Sequence, residues 1–255
     1  MLIALTRAVP QSITRCELTH IDRNPIDVDL ARKQHQAYEA ALSDAGCRIE
    51  RLPAEDDLPD SVFVEDTAIV LDEVAVITRP GAEPRRPETA SVAAALRNYR
   101  ELVFIELPAI LDGGDVLRIG RNVFVGQSTR TNEEGFRQLS AALTPFGYSV
   151  QAVTLRGCLH LKSAVTAFSD DGVVINPEWV DASVFNDMQV IVDPSEPSAA
   201  NVLRVGDIVL SATAFPRTAQ RLRDAGVNVR MVDASELAKA EGALTCCSVI
   251  VKLET

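Results

Sequence analysis

The chain has 255 residues, 47% of them hydrophobic and 24% charged, with a formal net charge of −11. That length can bury a sizeable core without disulfides or metals, and the composition excludes a disordered chain, a collagen-like chain and a small disulfide scaffold. No apolar run approaches the roughly 20 residues of a membrane-spanning helix, the first residues lack the pattern of a secretory leader, and the acidic balance disfavours nucleic acid, whose binding depends on Lys and Arg; it suits a cationic substrate.

In chain order, MLIALTRAV (Met1 to Val9) predicts a strand, Asp27 to Ala45 a helix and CRIERLP (Cys47 to Pro53) a second strand. A fuller pattern then begins. FVEDTAIVL (Phe63 to Leu71) and VAVITRPG (Val74 to Gly81) read as strands across a tight turn. PETASVAAALRNY (Pro87 to Tyr99) has helical spacing with Pro near its start, and LVFIELP (Leu102 to Pro108) is a strand again. The same order recurs in LDGGDVLRIG (Leu111 to Gly120), NVFVGQS (Asn122 to Ser128), a helix capped by Asn132, and SVQAVTL (Ser149 to Leu155). A third unit runs from LHLKSAVTAF (Leu159 to Phe168) through GVVINPEWV to MQVIVDP (Met188 to Pro194), with a short, poorly marked helix. A fourth joins AANVLRVG (Ala199 to Gly206), IVLSATAF, the helix PRTAQRLRDAG and NVRMVD (Asn228 to Asp233), the helix stopping at Gly226. A fifth opens at LTCCSVIVKL (Leu244 to Leu253), and the amino-terminal strand, helix and strand supply its missing parts.

Five strand–strand–helix–strand units, the last completed by the amino terminus, predict a closed α/β propeller with pseudo-fivefold symmetry. Residues 1–255 read as one domain without a linker. No GxGxxG, P-loop or GxSxG is present. The five cysteines, Cys16, Cys47, Cys158, Cys246 and Cys247, form no CxxC or Cys/His cluster, so neither a zinc site nor a disulfide framework is expected. A reducing, cytoplasmic setting follows.

The first strand of each unit would lie near the axis, and these apolar runs carry polar residues that packing does not require: Glu65 and Asp66, Asp112 and Asp115, His160 and Lys162, Asn201, and Cys246 with Cys247. Buried charges need partners, and carboxylates converging on one axis would form a pocket for a planar cation. Blander readings exist for each. Gly113 and Gly114 could serve only a turn, Asp115 could be a structural hydrogen-bonding residue, and His160 could be a satisfied core histidine. His35 falls in an amphipathic helix and reads as structural, and His20 falls in a loop. Cys246 and Cys247 would alternate faces on a strand, one toward the axis and one into packing.

The motifs DSVFVED (Asp60 to Asp66), ITRPGAEPRR (Ile77 to Arg86), LDGGDV (Leu111 to Val116), RTN (Arg130 to Asn132), LHLK (Leu159 to Lys162), AAN (Ala199 to Asn201) and LTCCSV (Leu244 to Val249) are collinear over nearly the whole chain. In this the chain resembles the dimethylarginine dimethylaminohydrolase family of guanidino-modifying enzymes, whose fold is a five-bladed α/β propeller. The resemblance implies Cys246 as nucleophile, His160 as general acid and base, and Asp112 as the acid orienting His160. It implies Asp66 as the main guanidinium ligand with Glu65 beside it. Asp60 and the Leu18 backbone would bind the substrate α-amino group, and Arg85 and Arg130 its carboxylate. The Ala240 carbonyl would lie near the substituted nitrogens, and Gln11 to Arg23 would form a lid. Cys247 is not expected to be catalytic.

The implied reaction hydrolyses Nω-methylated L-arginine to L-citrulline and an amine through a covalent thiouronium. A guanidinium carbon is a poor electrophile, so a thiolate suits it. No cofactor or metal is implied, and a metal at the cysteine would read as an inhibitor. The only partner implied is the small-molecule substrate, with no nucleic acid or membrane; oligomeric state is not readable. An arginine or agmatine deiminase with the same machinery is the alternative enzyme. A non-catalytic protein sequestering arginine derivatives is disfavoured by the presence of both Cys246 and His160.

Overall fold

The second strand of each repeat is apolar at consecutive positions, so both of its faces need partners. The computed structural model describes residues 1–185 and 188–253. Along the chain lie β1 (Leu2–Arg7), α1 (Val28–Asp44), β2 (Cys47–Leu52), β3 (Ala68–Val70), β4 (Val74–Ile77), α2 (Thr89–Leu96), β5 (Glu101–Phe104), β6 (Val116–Ile119), β7 (Asn122–Gln127), α3 (Glu133–Leu143) and β8 (Ser149–Thr154). They are followed by α4 (Leu161–Ala164), β9 (Val165–Ala167), β10 (Gly172–Ile175), β11 (Met188–Ile191), β12 (Leu203–Val205), β13 (Ile208–Ala212), α5 (Pro216–Asp224), β14 (Val229–Val232), α6 (Ser235–Ala238) and β15 (Val249–Lys252). No helix among the described residues is long and apolar enough to cross a membrane.

The strands form five separate three-stranded sheets, β3-β4-β5, β6-β7-β8, β9-β10-β11, β12-β13-β14 and β15-β1-β2. In every sheet the middle strand is antiparallel to one neighbour and parallel to the other. The parallel partner requires a crossover, which α1, α2, α3 and α5 supply in four units; the third has a single 3-10 turn, Ala182–Val184. Asp27 caps α1 by accepting from Leu30 N at 3.0 Å. Asn132 caps α3 by accepting from Gly135 N at 2.8 Å, as the sequence predicts. The helix α5 stops at Gly226, whose φ of +85° is readily adopted by glycine.

Each middle strand feeds two wedges of core. Ile3 and Leu5 of β1 pack with Ala75 and Ile77 of β4. From the opposite face of β4, Val74 and Val76 meet Val123 and Val125 of β7. Phe124 meets Val173 and Ile175 of β10, Val174 meets Val209 of β13, and Leu210 meets Ala4 of β1. Five sheets separated by five apolar wedges make a closed ring, and the pairing of β1 with β15 joins the chain's two ends within one sheet. No hydrogen-bonded ladder runs around the axis. The repeat persists in detail: Arg118 and Arg204 occupy equivalent inner-strand positions and each pairs at 2.6 Å with an aspartate of the preceding unit, Asp72 and Asp170 respectively.

One expectation is corrected. The polar residues near the axis do not sit on the inner strands. They sit on, or directly beside, single turns just before them: Val64–Thr67, Gly113–Asp115 with Asp112 before it, α4 with His160 before it, Thr245–Cys247, and in the fourth unit the turn at 197–200 with Asn201 after it. On a strand, neighbours such as Glu65 and Asp66 would face opposite ways, one of them into an apolar wedge; a turn keeps both out of it. These turns pack closely: a Cβ at Gly113 would lie 2.0 Å from the Glu65 carbonyl oxygen. Gly113→Ala should therefore cost about 3 kcal/mol, lowering Tm by roughly 6–12 °C; an unchanged melting curve would contradict this packing.

Candidate active site

The axial turns meet in a ring of hydrogen bonds drawn from all five units. Lys162 Nζ donates to Glu65 Oε1 at 2.6 Å and to the Gly113 carbonyl at 3.2 Å. Thr245 Oγ1 donates to Glu65 Oε2 at 2.7 Å. Asn201 Nδ2 donates to the Lys162 carbonyl, and Asn201 Oδ1 accepts from Thr245 N, both at 3.1 Å. This ring plugs the axis. Behind it lies a cavity of about 390 Å³ lined by inner-strand residues together with Glu65 and Lys162. In front lies a small cavity of about 20 Å³, which Cys246 and His160 line together with Asp66.

His160 stands at the start of α4 with its Nε2 3.1 Å from Asp112 Oδ2, while its Nδ1 faces Asp66 Oδ1 at 3.8 Å. Asp112 is fully buried behind the imidazole, and its other oxygen accepts from Gly81 N at 2.8 Å. Asp66 accepts from Gly114 N at 3.0 Å and from Arg85 Nη1 at 2.6 Å. The two glycines are thus more than a turn: a Cβ at Gly114 would stand 2.6 Å from His160 Nδ1 and 2.8 Å from Asp66 Oδ1. Asp115 has the structural role, accepting from Leu161 N, Ser128 Oγ and Thr131 Oγ1. The ligating atoms of Asp66, Asp112 and His160 lie within 4.8 Å of one another, the one potential metal-holding group among the described residues.

Asp60, Arg85, Arg130 and Ala240 line the same small cavity. Arg85 is buried and largely committed: Nε and Nη2 face Glu88, Nη2 also donates to the Phe63 carbonyl, and Nη1 holds Asp66. Arg130 is freer, with Nη2 donating at 2.8 Å to Thr19 Oγ1. Leu18 lies one residue from the cavity-lining Glu17, whose amide donates to Asp60 Oδ2 at 3.1 Å. Glu65, expected beside Asp66 at a guanidinium, has its two carboxylate oxygens on Lys162 and Thr245 in the plug.

Sequence reasoning missed Glu241 and Glu88. The Glu241 carboxylate accepts from three successive amides of the 11–23 segment, Thr19, His20 and Ile21, at 2.7, 2.5 and 3.0 Å. It is also the one non-glycine residue with positive φ among the described residues, at 56°. No local motif marks it, because its partners lie more than 200 positions away. Glu88 had a weak signal, three positions after Arg85. Cys246 and Cys247 share a helical turn rather than a strand, yet they still diverge: Cys246 reaches the small cavity, and Cys247 is buried in an apolar wedge.

Electrostatics raise both central groups, which leaves one charged and the other neutral. Burial would lower the His160 imidazole, but Asp66, Asp112 and Asp115 outweigh it and raise it to about 9. Burial raises the Cys246 thiol far above its ordinary range, and the Glu65 and Asp66 carboxylates add to this. For Asp66, burial is overcome by His160, Arg85 and the Gly114 amide, which hold it down at about 2. At neutral pH the cavity therefore contains an imidazolium, a carboxylate and a neutral thiol.

A five-unit α/β propeller with a cysteine, a buried His–Asp pair and an ionised carboxylate at its axis defines the class of guanidine-modifying enzymes. The family pattern described as arginine deiminase matches residues 54–204. The chain is 43% identical to an N(G),N(G)-dimethylarginine dimethylaminohydrolase of Streptomyces coelicolor over 96% of this chain and 95% of that one. It is 36% identical to the Pseudomonas aeruginosa protein of the same name, over 87% and 89%. The structure of a cysteine-to-serine variant of the Pseudomonas aeruginosa protein with citrulline superposes with a TM-score of 0.93 at 33% identity, covering 97% of this chain and 98% of that one. The chain belongs to the dimethylarginine dimethylaminohydrolase family and is a hydrolase acting on guanidino groups.

A direct check on the electrostatics is the titration of His160 by NMR, with an expected midpoint of about 9 that falls in Asp112→Asn. Because the folded value lies above the ordinary 6.5, the stability His160 contributes is fully present below 6.5 and lost as pH rises through about 9. A midpoint at 6.5 or below would show that the carboxylates do not govern the imidazole.

Proposed function

We propose that the protein hydrolyses Nω-methylated L-arginine to L-citrulline and dimethylamine or methylamine, as a single catalytic unit acting in the cytoplasm without a metal or other cofactor. The observation carrying this reading is one cavity lined by Asp66, held ionised, with Cys246 and His160, and by Asp60 with Arg130. A carboxylate suits the planar guanidinium through charge-assisted hydrogen bonds. An acid and an arginine suit the α-amino and α-carboxylate groups, the arginine because its fork matches a carboxylate. In this reading Asp60 and the Leu18 carbonyl take the ammonium, Arg130 takes the carboxylate with Arg85 contributing its remaining N–H, and the Ala240 carbonyl lies by the substituted nitrogens. Glu65 acts at one remove, through the plug.

The charge pattern suggests how the thiol is activated. Burial and two carboxylates keep Cys246 protonated in the free protein. A guanidinium placed on Asp66 offsets that negative charge and favours the thiolate, the thiol proton passing to solvent. The thiolate attacks the guanidinium carbon and forms a C–S bond. His160, already protonated and held by Asp112, gives its proton to the substituted nitrogen as the C–N bond breaks and the amine leaves. Neutral His160 then takes a proton from water, the resulting hydroxide attacks the thiouronium carbon, and the C–S bond breaks as the hydroxyl proton of the adduct passes to the departing sulfur, releasing citrulline and restoring the Cys246 thiol.

A steady-state comparison of asymmetric dimethylarginine, monomethylarginine, arginine and agmatine tests the substrate. Citrulline should form from the methylated arginines with arginine nearly inert. Turnover of arginine or agmatine instead would move the protein to a deiminase activity with the same nucleophile. Cys246→Ser should abolish turnover in a folded protein and Cys247→Ser retain it; the reverse pattern would overturn the nucleophile assignment. Arg130→Ala should raise KM by about tenfold or more, the loss of a charged hydrogen bond being worth about 1.5–3 kcal/mol. An unchanged KM would remove Arg130 from the carboxylate site.

A further inference from the structure

The turn Thr245–Cys247 is fastened on its axial side by Asn201 and Glu65, through the amide and hydroxyl of Thr245. Its other side rests on α1. Tyr38 is buried, with 1% of its surface exposed, and its hydroxyl lies 2.8 Å from the Leu244 carbonyl oxygen and 2.7 Å from Ser248 Oγ. Those two atoms belong to the residues two before and two after Cys246. A phenol has one proton to give, and a carbonyl can only accept. Tyr38 therefore donates to Leu244, and Ser248 donates to Tyr38. The turn's own closing bond, from Ser248 N to the Thr245 carbonyl, is long at 3.5 Å, so the phenol bridge supplies closure that the backbone lacks.

Four residues earlier on the same face of α1, Gln34 fastens the segment leading toward the nucleophile. Its Nε2 donates at 2.8 Å to both Asp233 Oδ2 and Ser235 Oγ, and its Oε1 accepts from Glu236 N at 2.9 Å. The chain from Asp233 to Ser248, which includes Ala240 and ends around Cys246, is thus laid along one helix by side chains at i and i+4. The phenol of Tyr38 is driven well above its ordinary range by burial and by the Cys247, Glu65 and Cys246 charges, which keeps its proton in place.

We propose that Tyr38 is a positioning residue for Cys246, its hydroxyl clamping both flanks of the turn so that the thiol is aimed at the bound guanidinium carbon. This rests on the reading of Cys246 as nucleophile. A thiol held in a buried, carboxylate-lined position is aimed but slow to ionise; released from it, the same thiol ionises more easily and reacts less productively.

The experiment compares Tyr38→Phe, Ser248→Ala and the double variant with the wild type. Tyr38→Phe should lower kcat for asymmetric dimethylarginine by about tenfold or more, the scale expected for a small misplacement of a reacting atom, with KM unchanged. Alkylation of Cys246 by iodoacetamide at pH 7, followed by mass spectrometry, should at the same time become faster. Ser248→Ala should show a smaller fall in kcat, and the double variant should be no worse than Tyr38→Phe, because both bonds pass through one hydroxyl. Wild-type kcat and alkylation in Tyr38→Phe, with only Tm reduced, would assign Tyr38 a purely structural role and overturn the proposal, as would a change confined to KM. If Tyr38→Phe does not fold, wild-type kcat in Ser248→Ala overturns it. A wild type inert toward every methylated arginine would defeat the functional reading, and the alkylation comparison would still decide the role of Tyr38.

Discussion

Carboxylates brought together on one axis repel each other, and this architecture persists because cations from other units and from the far side of the same unit are interleaved among them. Lys162 neutralises Glu65, Arg85 holds Asp66, and His160 lies between Asp66 and Asp112. Each of these contacts joins different units or different segments of one unit, so the groups to which the chemistry is assigned also hold the centre of the ring. A buried ion pair gives little net stability against an apolar replacement. The wedges between the sheets supply that stability, and the charges at the centre specify which turns meet.

The division of labour between wedges and axis explains the form of the repeat. Middle strands alternate their side chains between two neighbouring wedges and need no polar residue. Inner strands are short, three or four residues, because the turn before each one must release its side chains from that alternation. A polar group on such a turn finds its partners on the other turns and on neighbouring loops, as Asp115 does with Leu161, Ser128 and Thr131. The result is a ring in which Lys162, Glu65, Thr245 and Asn201 satisfy one another, separating a rear cavity from the cavity of Cys246.

One electrostatic field has opposite effects on the ionisation of two groups. Negative charge raises the imidazole of His160 and raises the thiol of Cys246, but the first becomes charged and the second stays neutral. In the proposed reaction a cation entering the cavity lowers both. The resting protein thereby avoids exposing a reactive thiolate. The segment 17–21 is fastened over these groups: Asp60 and Arg130 hold the Glu17 amide and Thr19 hydroxyl, and Glu241 holds three amides of the same segment.

Much of this was legible in the sequence. Consecutive apolar residues in five middle strands, parallel partners at crossover spacing, and an amino terminus able to complete the final unit specify a closed ring, because each follows from local periodicity. The collinear motifs mark Cys246, His160, Asp112 and Asp66, since polar residues embedded in apolar runs stand out without coordinates. The tertiary structure alone decided that the polar runs are helical turns and that Glu65 bonds to Lys162 and Thr245. It also placed Glu241, Glu88 and Tyr38 against the 11–23 segment, Arg85 and the Cys246 turn. The reason is physical: periodicity reports on which face of its own element a residue lies, whereas a hydrogen bond between Tyr38 and Ser248 or between Glu241 and Thr19 spans some two hundred residues and exists only once the ring has closed.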